Sequence, residues 1–73
     1  MAKPVFNDAV LACLDAIHTR LSDATQIAKA AQACAQAGSL SEAVAISMDI
    51  EQLICEAGRL HDAASLLNRL AAD

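Results

Sequence analysis

The sequence predicts an all-α fold: an antiparallel hairpin of two long helices, about residues 7–37 and 40–72, as a single domain over 1–73. Three observations carry that expectation. Apolar residues recur at alternating spacings of three and four along both halves of the chain, which is helical periodicity. A lone Gly38-Ser39 junction separates the halves, and only one proline and two glycines occur in all 73 residues. A β architecture would need several turn signals, and this chain has too few for one.

The first helix is expected to begin at Asn7, whose side chain can accept from a free N–H of the first turn. Asp8 suits the positive end of the helix dipole. Phe6, the single aromatic residue, and Leu11 have the spacing of a hydrophobic staple around that cap. From there an apolar seam runs Val10, Leu14, Ile17, Leu21, Ala24, Ala28, Ala31, Ala35. Gly38 supplies the left-handed position that commonly ends a helix. Ser39-Leu40-Ser41-Glu42 has the capping-box pattern that starts the next one. The second seam reads Ala43, Ile46, Ile50, Leu53, Ala57, Leu60, Ala64, Leu67, Ala71.

Folded at Gly38-Ser39, the two seams pair Ala35 with Ala43, Ala31 with Ile46, Ala28 with Ile50 and Ala24 with Leu53, then Leu21 with Ala57, Ile17 with Leu60, Leu14 with Ala64 and Val10 with Leu67. Several layers set a small residue against a large one, which lets helices approach without voids. Arg20 falls opposite Glu56 on one flank, and Phe6 opposite Leu70. The competing arrangement is four short helices with extra breaks near Ser22-Asp23 and at Gly58. The stretch Ala37–Ala43 recurs in kind as Ala57–Ala63, and it resembles the inter-helix turn of tetratricopeptide-type repeats. The repeat distance of 20 residues falls short of the 34 that such repeats use.

Composition excludes whole classes of function. The net charge is −4, and the five cations, Lys3, Arg20, Lys29, Arg59 and Arg69, are scattered. Nucleic-acid binding needs a clustered basic stripe to displace counterions, so no nucleic-acid partner is expected. No apolar run approaches the roughly 20 residues of a membrane span, and Asn7 and Asp8 interrupt any signal-peptide core. Three cysteines without a CxxC spacing fit a reduced, cytoplasmic protein. Cys13, Cys34 and Cys55 recur at intervals of 21 residues, about 31 Å along a helix, so no internal disulfide or zinc site is expected.

Catalysis has little to stand on. The serines lack a base and an orienting partner, there is no glycine-rich phosphate loop, and no H-E-x-x-H pair occurs. A two-layer hairpin is also expected to offer no concavity for a small substrate. The protein is expected to be no enzyme and to need no cofactor or metal. His18 and His61 are set at one level across the hairpin, where two imidazoles could form a metal- or pH-responsive pair.

What the hairpin leaves over is apolar surface. Phe6, Cys13, Ile27 and Cys34 form a second stripe on the first helix, interrupted by Arg20. On the second, Val44, Met48 and Cys55 face away from the seam, with Leu40, Ile54, Leu66 and Leu70 on flanking lines. Surplus of this kind marks an interface, and Ile27, Cys34, Val44, Met48, Cys55 and Leu66 are its candidates. The expected function is a small protein-protein interaction module, a regulator, adaptor or chaperone subunit that binds a partner by helix-helix packing. The chain is expected to homodimerise through this surface into a four-helix bundle, architecturally similar to the plasmid RNA-regulatory Rop dimers but with no shared motif, with another protein as the further possible partner. A structural scaffold carrying the His18/His61 pair is the alternative. Met48→Glu is expected to abolish partner binding and spare the hairpin.

Overall fold

The computed structural model describes residues 4–72. It is a hairpin of two helices, α1 (Pro4–Gln36) and α2 (Leu40–Ala72), packed along their length. The long-hairpin expectation holds, and no break occurs at Ser22-Asp23 or at Gly58. The helices make a rod 57 Å long and 13 by 11 Å across at the Cα atoms.

α1 starts three residues before the predicted cap. Proline is at home in the first turn, where its missing N–H would have no partner and its fixed φ is already helical. Asn7 and Asp8 therefore lie inside the helix, so Phe6 does not precede a cap there, and it is half-buried.

The turn is a Schellman motif. Gly38 N–H donates to Ala35 O at 2.9 Å and Ser39 N–H to Cys34 O at 3.1 Å, satisfying two carbonyls at the end of α1. Gly38 makes this possible with φ of +97°, a conformation that side chains with a Cβ rarely adopt. Ala43 N–H then donates to Ser39 O at 2.9 Å, opening α2. The Glu42 carboxylate does not reach back in a capping box; it lies 4.0 Å from Cys34 Sγ across the turn.

The burial pattern corrects the seam of α1. The second line of half-buried residues is Phe6, Cys13, Arg20, Ile27 and Cys34, alternating with Val10, Ile17, Ala24 and Ala31. Leu14 and Leu21, expected in the seam, are about half exposed (51% and 47%), and Ala28 is exposed too. α2 keeps its predicted seam throughout. The reason lies in matching steps. Outward from the turn α2 runs 43, 46, 50, 53, in steps of three then four. Only the line 34, 31, 27, 24 on α1 takes the same steps in the same order, so that seam residues stay level along the whole rod. The line 35, 31, 28, 24 steps four then three and falls out of level at every other layer.

The levels that result are Cys34 with Ala43, Ala31 with Ile46, Ile27 with Ile50, Ala24 with Leu53, Arg20 with Ala57, Ile17 with Leu60, Cys13 with Ala64, Val10 with Leu67 and Phe6 with Ala71. Among the described residues the buried positions are all alanine: Ala24, Ala43, Ala57 and Ala64. They mark where the backbones come closest. Among the described residues no large side chain is wholly enclosed.

Arg20 holds the register. Its Nε–H donates to Glu56 Oε1 at 3.0 Å, and Gln52 Nε2 donates to Glu56 Oε2 at 3.1 Å. The hydrogen bonds from Gln52 and Arg20 hold the Glu56 carboxyl below its ordinary value. Both charged side chains remain about a third exposed, so the bond orients more than it stabilises. The seam thus accepts an arginine because its head escapes sideways while its stem covers apolar surface.

The two glycines have opposite expected effects. Gly38→Ala places a Cβ at positive φ and should destabilise the hairpin by about 1 kcal/mol. Gly58 lies mid-helix, and a Cβ added there would have nothing within 4 Å, so Gly58→Ala should stabilise by about 1 kcal/mol. Thermal melts of the two variants moving in the same direction would contradict this account.

Candidate functional site

Fixing the seam fixes the two broad sides of the rod, because each helix presents one flank to each side. On one side α1 contributes Leu11, Leu14, His18, Leu21, Thr25, Ala28, Gln32 and Ala35, and α2 contributes Leu40, Val44, Ile54, Gly58, His61, Ser65 and Asn68. Six of these, Leu11, Leu14, Leu21, Leu40, Val44 and Ile54, are large apolar residues that are exposed. Ser47 sits among them with its hydroxyl turned back to donate to Val44 O at 2.7 Å, which leaves it little polarity to offer. Glu51 is the one formal charge on this side among the described residues.

The other side is acidic. Asp23, Glu42, Asp49 and Glu56 lie along it, with Arg59 and the emerging head of Arg20 as counter-charges. A shallow open groove of about 510 Å³ runs between the helices here, lined by Asp23, Gln26, Ile27, Asp49, Gln52 and Leu53. The sequence expectation of no concavity is corrected to that extent. A second hollow of about 460 Å³ lies on the outside of α2 between Met48, Glu51, Gln52, Cys55, Glu56 and Arg59. Neither brings together a nucleophile, a base and an orienting group, which acyl or phosphoryl chemistry would require.

The structure disperses the six sequence candidates. Val44 stands in the apolar face. Met48 and Cys55 lie on the outer ridge of α2 just beside it, among charged residues. Leu66 is exposed on the acidic side. Ile27 and Cys34, expected as leftover surface, are instead half-buried in the seam. Cys34 Sγ also donates to Ser39 O at 3.5 Å. The exchange is a consequence of the rotated seam on α1: Leu14 and Leu21 move out to the face as Cys13, Ile27 and Cys34 move in.

His18 and His61 are both exposed and lie on the apolar side toward the open end of the rod. His61 Nδ1 is 4.0 Å from the neighbouring Asp62 carboxylate, with both side chains well exposed. Among the described residues no three histidine, cysteine or acidic side chains stand close enough to hold a metal ion. The cysteines are free thiols, Cys13 and Cys34 half-buried and Cys55 exposed. Among the described residues no helix is long and apolar enough to cross a membrane.

The residues that sequence reasoning missed are Leu11, Leu14 and Leu21. The periodicity of α1 alone gives no signal for them, because their exposure follows from the matching of seam steps between the two packed helices. No family model, curated protein or solved structure matches the chain.

Proposed function

We propose that this protein is a non-enzymatic interaction module of the reducing cytoplasm, working through the apolar side of its hairpin by packing against partner helices. The observation that supports the reading is the separation of the rod into two unlike sides. Six exposed large apolar residues share a side with a single formal charge, while four carboxylates share the other. Contiguous apolar surface rimmed by polar groups is the physical mark of a protein-binding surface. The shape is right for helices: long parallel ridges with grooves between them accept a helix laid alongside. The acidic side keeps the free rod soluble and repels other acidic surfaces.

The test compares the tagged wild-type chain with Leu14→Glu and Ile54→Glu variants in a lysate of its own cells. Proteins held by the wild type and released by both variants, but kept by Leu66→Glu on the opposite side, are the expected result. Identical retention by all four chains would rule the face out. Met48→Glu, at the margin of the face, should weaken retention less than Ile54→Glu does.

A further inference from the structure

We propose that the apolar side is occupied by a second copy of this chain, so that two hairpins close face to face into a four-helix bundle. This rests on the reading of that side as a helix-packing surface and names its partner. Area is the first argument. A compact monomer of 7.6 kDa would expose about 4,300 Å², whereas this chain exposes 5298 Å². The surplus is about 1,000 Å² per chain. Covering it on two copies removes about 2,000 Å², the upper end of a standard stable interface.

Charge is the second argument. A two-fold interface places a patch against its own copy, so a patch with an excess of one sign meets the same sign. Among the described residues the apolar side carries only Glu51 and escapes that penalty. The acidic side, with Asp23, Glu42, Asp49 and Glu56, would repel its copy.

Shape is the third. Near the turn the large residues of the face, Leu40 and Val44, are on α2, and α1 offers Ala28 and Ala35 at that level. At the open end Leu11 and Leu14 stand on α1, with Ser65 of α2 near the level of Leu11 and His61 near that of Leu14. A two-fold axis along the rod lays each α1 over the partner's α2 at one level, and one across the rod lays α1 over α1 end to end. In both, Leu11 and Leu40 of one copy are seated over smaller residues of the other. Leu21 and Ile54, midway along, lie at the centre.

The experiment is sedimentation of the full chain at about 100 µM, well above the dissociation constant expected of an interface this size. The wild type should sediment at twice its chain mass. Leu21→Glu and Leu21→Lys should each lose the dimer, with at least a hundredfold weaker association. Mixing the Glu and Lys variants restores a dimer when Leu21 meets its own copy; mixing Leu21→Glu with Ile54→Lys restores it when α1 lies over α2. Because recovery is read on mixtures, variants that unfold alone still decide the matter. A monomeric wild type, or no recovery in either mixture, overturns the second copy. If that monomer still loses a lysate protein on Ile54→Glu substitution, the helix-packing reading stands without it. A dimer unaffected by all three substitutions places the interface elsewhere and overturns the face as well.

Discussion

Ala24→Leu should destabilise the hairpin by about 1–3 kcal/mol, the usual cost of forcing extra methylenes into a closed site. Ala24 is buried at the level of Leu53, with the Ile27–Ile50 layer on one side and Arg20–Ala57 on the other. A leucine there has nowhere to go unless the helices separate. Separation would open the layers on both sides and stretch the 3.0 Å bond between Arg20 and Glu56. With only alanines buried among the described residues, the fold has little reserve against that loss. The matched control is Ala33→Leu, on an exposed position of the same helix, where the change should stay within about 0.5 kcal/mol. Urea titrations followed by circular dichroism measure both, and equal midpoints would show that close approach at Ala24 is unimportant.

Truncating Leu60 comes next in size. Val10–Leu67, Ile17–Leu60 and Ile27–Ile50 are the layers in which two large aliphatic residues meet. Each therefore carries a larger share of the apolar burial than a layer floored by alanine. Leu60→Ala removes the branched end of a half-buried side chain and should cost about 2 kcal/mol, the low end for core leucines because solvent already reaches part of it. Leu66→Ala makes the same chemical change on the acidic side, at a residue 49% exposed, and should cost less than about 1 kcal/mol. The difference between the two melts measures seam burial with helix propensity cancelled, since both replace leucine by alanine in one helix. If Leu66→Ala proves the more damaging, the side on which Leu66 lies belongs to a core.

The predicted seam of α1 shows where sequence reading stops. Three apolar lines compete on that helix. Val10, Ile17, Ala24 and Ala31 belong to any seam. The second line can be Phe6, Cys13, Arg20, Ile27 and Cys34, or Leu14, Leu21, Ala28 and Ala35. Hydropathy alone favours the latter, because it contains two leucines and no arginine. The structure takes the former, and rotates α1 by less than one residue step about its axis to do so. That small rotation moves Leu14 and Leu21 from the core to the surface and changes which side of the protein is a candidate interface.

Local signals were enough for the two helices, the Gly38 turn, the whole seam of α2 and the pairing of Arg20 with Glu56. Periodicity, a residue able to take positive φ and the absence of a strong breaker are all written in the chain itself. Which flank of α1 is buried is not. That choice depends on whether the steps of one helix keep level with the steps of the other, and on an arginine whose head can reach a carboxylate beyond the seam. Neither is a property of either helix alone, so it emerges only when the two are packed. The apolar face of Leu11, Leu14, Leu21, Leu40, Val44 and Ile54 exists because that pairing came out as it did.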